Sequence, residues 1–123
     1  MKRNWDTIRE ILVKVESCTL PTDRICLSDF DDNRAAEISY HVSLLIDAGL
    51  INGQMLSTLG PSIKNFHAKR LTWNGHEFLD SIRDNKIWEK TKEHFSQKGI
   101  EMSFELVKSA AIKIASAVIL GLP

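Results

Sequence analysis

The sequence has little of what defines several large classes of protein. It has two cysteines, Cys18 and Cys26, which are too few for a disulfide scaffold and lack Cys-x-x-Cys spacing. We expect two free thiols in a reducing compartment. The 16 basic residues are balanced by 16 acidic ones, so the usual electrostatic reason for tight binding to nucleic acid or an anionic membrane is missing. Any such binding must come from a local patch.

Long apolar runs are also missing. Residues 110–122 are apolar except at Lys113 and Ser116, and this run is well short of the roughly 20 residues that cross a bilayer. The first residues alternate charged with apolar side chains after a basic pair, which is unlike a signal peptide. We therefore expect a cytoplasmic protein that does not bind membranes.

The composition that remains is that of one globular domain. The chain has 123 residues, 43% of them hydrophobic and 26% charged, and can bury a core without metals or disulfides. Apolar residues at helical spacing predict a first helix over residues 4–17, with Asn4 as its N-cap, and a second over residues 34–48, ended by Gly49. Asp29, Asp31 and Asp32 favour the start of the second helix.

A hairpin is predicted after the second helix. Ile25, Cys26 and Leu27 first form one brief β-favouring run between the two helices. After Gly49 the helical period disappears, and glycine and proline separate two segments that can pair, residues 50–56 and 66–71. Residues 57–65 would form the loop between them.

The rest of the chain is predicted to be helical. Thr72 can cap a third helix, the helical period resumes before Gly99, and Ser103 can start a last helix that runs toward Leu122. The last helix is apolar on nearly every side, so its own chain or another copy must cover it. We expect a homo-oligomer, and its candidate interface residues are Phe104, Val107, Ala111, Ile114 and Val118.

The order helix, short strand, helix, hairpin, helix predicts an α+β, winged-helix-like domain. We place it over residues 1–84, followed by a C-terminal helical extension over residues 85–123 that oligomerises. Residues 39–51, Ser-Tyr-His-Val-Ser-Leu-Leu-Ile-Asp-Ala-Gly-Leu-Ile, resemble the third helix of bacterial winged-helix regulators. The motif Leu71-Thr72-x-x-Gly75 resembles the step from their second wing strand into the next helix.

A more specific resemblance covers nearly the whole chain. The opening Met-Lys-Arg-x-Trp-Asp, the central Tyr-His and Ala-Gly-Leu-Ile, and residues 71–84 together resemble the small phage and prophage proteins of domain of unknown function 2513. This resemblance implies the fold and carries no established chemistry.

Two functional hypotheses follow. The winged-helix resemblance implies DNA binding, yet between Asn33 and Lys64 the only basic residue is Arg34, so any DNA contact would rest mainly on the wing. Alternatively the protein is an interaction protein that binds a host protein or sequesters a small signalling nucleotide. The candidate contact residues for nucleic acid or ligand are Tyr40, Ser43, Lys64, His67, Lys69 and Arg70.

Enzyme motifs are not evident. The sequence His76-Glu77-x-x-Asp80 lacks the second histidine of the zinc motif and a third ligand, and the acidic group before the second helix lacks the glycine and terminal glutamate of a calcium loop. We therefore expect no catalysis, no metal and no cofactor. Core positions are expected for the aromatic residues Trp5, Trp73, Trp88, Phe78 and Phe95.

Overall fold

A computed structural model describes residues 1–61 and 63–121. Within them, five α-helices and one antiparallel hairpin form an α+β fold with the element order of a winged-helix-like protein. The elements are α1 (Trp5–Glu16), α2 (Ala35–Asp47), β1 (Ile51–Gly60), β2 (Ile63–Leu71), α3 (Trp73–Ile82), α4 (Asn85–Lys98) and α5 (Phe104–Ile119). Short 3₁₀ turns at Leu27–Asp29 and Asp32–Arg34 precede α2.

The chain divides into two compact units, Met1–His76 and Glu77–Pro123. This division falls inside α3, whereas the sequence placed the boundary at residue 84. No helix in the described part of the chain is long and apolar enough to span a membrane.

Helices α1 and α2 lie within one residue of the predicted ranges at each end, and Asn4 and Gly49 have their predicted roles, whereas the N-cap of α2 is Arg34, which makes no side-chain cap hydrogen bond. The side chain of Asn4 accepts the N–H groups of Asp6 and Thr7 at 3.0 and 3.2 Å, which satisfies two of the unpaired donors at the start of α1. Gly49 has a φ of 75°, and Leu50 N–H donates to the carbonyl of Leu45 at 3.0 Å, as in a Schellman motif. The apolar faces of both helices are buried: Ile8, Ile11, Leu12 and Val15 on α1, and Ile38, Val42 and Leu45 on α2.

The predicted strand before α2 is wrong in length. Ile25 alone pairs with β2, exchanging two backbone hydrogen bonds with Ala68 at 3.0 and 2.8 Å. The next N–H group, that of Cys26, donates to the carboxylate of Asp29 at 2.8 Å, and Leu27 begins a 3₁₀ turn. In an antiparallel ladder the next N–H that would face β2 is that of Leu27, and it donates to the side-chain oxygen of Asn65 at 3.2 Å, so a side-chain hydrogen bond replaces the next rung of the sheet.

The hairpin extends further than predicted. Residues 57–65 were expected to form a loop, but Thr58 pairs with Lys64 and Gly60 with Ile63, beyond register shifts that follow Met55 and Thr58. The outer half of the hairpin is exposed on much of its surface, so its strands lack the apolar alternation by which strands are recognised in a sequence.

The end of α2 and the start of α3 are fastened together by Thr72. Its N–H donates to the carbonyl of Leu50 at 3.0 Å, and its hydroxyl donates to the carbonyl of Gly49. The same hydroxyl accepts the N–H of Gly75 at 3.0 Å, which confirms Thr72 as the cap of α3. Gly75 lies so close to the carbonyl of Leu50 that a Cβ would clash with it.

The prediction that Trp73 lies in the core is wrong. Trp73 is 77% exposed, because the buried stripe of α3 runs through Gly75, Phe78, Leu79 and Ile82, and Trp73 lies off that stripe. The other aromatic predictions are confirmed for Trp88, Phe78 and Phe95, while Trp5 is half-buried with the guanidinium of Arg3 5.2 Å from its ring centroid.

In the second unit α4 packs against α5. The buried side chains of α4 are Ile87, Trp88, Thr91 and Phe95, and α4 ends at Gly99 with a φ of 64°. Ser103 caps α5, accepting the N–H of Leu106 at 3.4 Å. The prediction that α5 runs toward Leu122 is too long: α5 ends at Ile119, and Leu120 and Gly121 form a turn in which Gly121 has a φ of 69°. Leu122 itself lies outside the described residues.

The predicted oligomer interface on α5 needs correction. Val107 and Ala111 are fully buried within the chain itself, and the ring of Phe104 stacks on that of Phe78 with centroids 4.7 Å apart. Val107 and Ala111 are therefore not free to meet a second copy, and Phe104 is half-buried. Ile114 is half-buried, and Val118 is 52% exposed.

Candidate functional site

Two surfaces of the first unit contain the candidate contact residues. The first, which we call the α2–hairpin surface, consists of Tyr40, Ser43, Asp47 and Lys64. The second, which we call the hairpin-base cleft, lies where α1 ends, β2 ends and α3 begins.

The α2–hairpin surface is held together by Ser39. Its hydroxyl donates to the carbonyl of Lys64 and accepts the N–H of the same residue, both at 2.9 Å, so α2 is tied to the start of β2. Tyr40, the next residue on α2, is 37% exposed, and Asp47 is exposed. Ser43, one turn after Ser39, is half-buried.

Arg34, the cation nearest to α2, is engaged by two carboxylates. Its guanidinium lies 3.0 Å from Glu37 and 2.9 Å from Glu10. The hydroxyl of Thr7 donates to Glu37 at 2.8 Å. This hydrogen bond is the main cause that lowers the pKa of Glu37, and the hydrogen bond from the guanidinium of Arg34 is the next. Hydrogen bonds to Glu37 and then Glu10 raise the pKa of Arg34. This network joins α1 to α2.

His41 belongs to the same junction and is buried. The N–H of Asn4 donates to its Nε2 at 2.8 Å, so Nε2 is an acceptor and the proton of the ring lies on Nδ1. Nδ1 then donates to the carbonyl of Glu37 at 2.7 Å. His41 is therefore a structural contact between the start of α1 and α2.

The six candidate contact residues do not form one surface. Tyr40, Ser43 and Lys64 lie on or beside α2, whereas Lys69 and Arg70 lie at the other end of β2, next to the hairpin-base cleft. Lys69 lies five residue steps along the strand from Lys64, which corresponds to roughly 16 Å. His67 lies between the two groups, opposite Gln54 on β1.

The hairpin-base cleft has a volume of about 390 Å³, within the range of small-molecule sites. Lys69 and Arg70 are exposed, and no ion pair within residues 1–61 and 63–121 involves either. The ring of His76 lies 3.8 Å from the carboxylate of Glu16. The cleft is lined by Val15, Glu16, Cys18, Thr19, Leu20, Pro21, Lys69, Arg70, Leu71 and His76.

Cys18 contributes an uncharged thiol to the wall of the cleft. Both Cys18 and Cys26 are free thiols, as predicted. Burial raises the pKa of Cys18, and the carboxylates of Asp23 and Asp29 raise it further. The sequence did not indicate Glu16, Cys18 or His76 as parts of a site, because residues that are distant along the chain meet only after the hairpin returns to the end of α1.

The acidic groups considered as metal ligands have other partners. Asp29 and Asp31 accept the backbone N–H groups of Cys26 and Asn33 at 2.8 and 3.0 Å, in accord with a capping role. Asp80 pairs with Arg83 at 2.7 Å. Among the described residues, no three His, Cys, Asp or Glu side chains lie close enough together to hold a metal ion.

The comparisons with known proteins find relatives of unknown function. The model of a family described as hypothetical protein DUF2513 matches residues 2–101. An uncharacterized protein of Haemophilus influenzae is 38% identical over 116 residues, which cover 94% of this chain and 97% of that protein. No solved structure matches the chain.

Proposed function

The chain belongs to the DUF2513 family, and on this premise we propose that it is a non-catalytic regulatory protein that binds a partner protein through the α2–hairpin surface. The resemblance to phage and prophage proteins supports a host protein as that partner. The α2 helix occupies the chain position of the helix that enters the major groove in winged-helix DNA-binding proteins.

The observation that supports a protein partner over DNA is that Arg34 forms ion pairs with Glu10 and Glu37. With that cation held by carboxylates, α2 itself carries no free positive charge and has Asp47 exposed near its end. A phosphate backbone would be repelled there. Tyrosine, by contrast, is enriched at protein interfaces, so the exposed Tyr40 favours a protein partner.

Duplex DNA is the second candidate, and Lys64 favours it. Lys64 is exposed at the start of β2 and could neutralise a phosphate beside the wing. A gel shift with random duplex DNA in 50 to 200 mM salt separates the two candidates. We expect no shift, because one lysine beside an acidic helix neutralises too few phosphates. A shift that weakens steeply with salt and is lost in Lys64→Glu would show DNA binding instead.

The protein-partner proposal is tested by capture from the host with three proteins: the wild type, Tyr40→Ala and the control Lys90→Ala. Lys90 is exposed on α4, outside the α2–hairpin surface. We expect one protein to be captured by the wild type and the control and to be lost with Tyr40→Ala, since a central aromatic contact can contribute about 2 kcal/mol or more. Equal capture by all three proteins would contradict the assignment of this surface.

We also propose that a second copy of the chain covers the end of α5. Val118, Ile119 and Leu120 are exposed there, with Ile119 82% exposed, and Ile112 is exposed about two turns earlier on α5. Monomeric proteins rarely leave a contiguous apolar patch in water. Association of two copies through this end of α5 would remove it from solvent.

A further inference from the structure

The hairpin-base cleft combines positive charge with apolar walls. Lys69 and Arg70 supply two cations from the last residues of β2, and the carboxylate of Glu16 faces His76. Leu20, Pro21 and Leu71 supply apolar surface. A cavity of this size with a few charged groups beside apolar walls is the usual form of a small-ligand site.

Lys69 and Arg70 differ from those cations of the chain that form ion pairs. Arg34, Arg83 and Lys92 form ion pairs at 2.7 to 3.2 Å. In the described part of the chain no carboxylate pairs with Lys69 or Arg70. Their charges are therefore available to a bound anion, and an arginine can hold a phosphate or carboxylate with two parallel hydrogen bonds.

The remaining wall of the cleft is ordered by hydrogen bonds, and the carboxylate that lines it, that of Glu16, lies beside the ring of His76. The N–H groups of Thr19 and Leu20 both donate to the carboxylate of Asp23 at 3.0 Å, which fixes the loop after α1. The Cys18 thiol in this wall is protonated near neutral pH, because burial and nearby carboxylates raise its pKa. A fixed loop reduces the entropy cost of binding.

We infer that the hairpin-base cleft binds a small organic anion, in which a phosphate or carboxylate group is attached to an apolar or aromatic body. The anionic group meets Lys69 and Arg70, and the body lies against Leu20, Pro21 and Leu71. This site is separate from the α2–hairpin surface, so it does not depend on the proposed protein partner.

The test uses calorimetric titration of the full chain with three probes, AMP, inorganic phosphate and adenosine. AMP has both an anionic group and an aromatic body, and each of the other probes has one of them. We expect AMP to bind at least about tenfold more tightly than either part, because one strong contact contributes about a tenfold factor. Absence of AMP binding at millimolar concentration, or equal binding of adenosine, would overturn the inference.

Two variants and one matched control assign the binding to the cleft. Lys69→Gln and Arg70→Gln should each weaken AMP binding about tenfold. Lys64→Gln removes an exposed lysine that lies on the same strand but outside the cleft, and it should leave AMP binding unchanged. If Lys64→Gln weakens binding as much as the other two, AMP is held by general surface charge and the inference is wrong.

A second readout reports the location directly. In a Cys26→Ser background, Cys18 is the remaining cysteine and lines the cleft. Saturating AMP should slow its alkylation several-fold if the ligand occupies the cleft. An unchanged alkylation rate at saturation would place the ligand elsewhere and overturn the inference.

Discussion

Substitution of Gly75 by alanine tests the contact between the start of α3 and the end of α2. Gly75 lies in a helix with ordinary helical backbone angles, so helix propensity alone predicts that alanine would stabilise the protein by about 1 kcal/mol. The structure predicts the opposite sign. A Cβ at this position would meet the backbone carbonyl of Leu50 at a distance that real Cβ atoms do not adopt.

The cost can be worked from the two contacts that must change. Displacing the helix to make room for the methyl group costs up to about 3 kcal/mol, as for other overpacked sites. The same carbonyl of Leu50 accepts the N–H of Thr72, and weakening that bond adds about 1 kcal/mol. After the propensity gain is subtracted, we expect Gly75→Ala to lower the free energy of unfolding by about 2–3 kcal/mol.

Urea unfolding followed by circular dichroism measures this difference. Gly60→Ala is the matched control, because a Cβ at Gly60 meets no atom within 4 Å. We expect the control to change the free energy of unfolding by less than about 0.5 kcal/mol. A Gly75→Ala protein that is as stable as the wild type, or more stable, would refute the close approach of α3 to Leu50.

Two further predictions concern the α1–α2 network and the end of α5. The pKa of Glu37 is lowered in the folded state, chiefly by the hydrogen bond from the hydroxyl of Thr7. The ionised carboxylate of Glu37 therefore stabilises the folded state above its unfolded pKa near 4, and this stabilisation is lost as the pH falls through the folded pKa. The free energy of unfolding of Thr7→Val should therefore be about 1 kcal/mol below that of the wild type at pH 7, and this gap should narrow toward pH 3; a gap independent of pH would contradict the role of Glu37. Light scattering should show an oligomer for the wild type and a monomer for Val118→Glu. A monomeric wild type would contradict the proposal that a second copy covers the end of α5.

Local signals along the chain were sufficient to predict the helices and their ends. Asn4 caps α1, Gly49 ends α2 with a left-handed backbone, and Thr72 caps α3, each as its residue type indicates. These features depend on neighbours within a few residues. A sequence therefore carries them directly.

Features that depend on distant residues were not predictable in the same way. The strand at Ile25 is reduced to one pair because the side chain of Asn65 accepts the N–H of Leu27, which would make the next ladder bond. The hairpin continues to Gly60 by backbone bonds that leave no apolar pattern. The cleft beside Lys69 requires the return of β2 to the end of α1. None of these juxtapositions has a period or a spacing that could indicate it.

The motifs that carry the family resemblance turn out to be largely structural. The central Tyr-His contains the buried His41 that joins α1 to α2, and the Ala-Gly-Leu-Ile and Leu-Thr-x-x-Gly segments meet where Thr72 bonds the carbonyls of Gly49 and Leu50. Residues with such roles determine how the backbone packs and leave little of their chemistry for a ligand. Binding specificity must then come from side chains that the fold itself does not use, such as the exposed Tyr40 within a motif and the cations of Lys69 and Arg70 between the motifs.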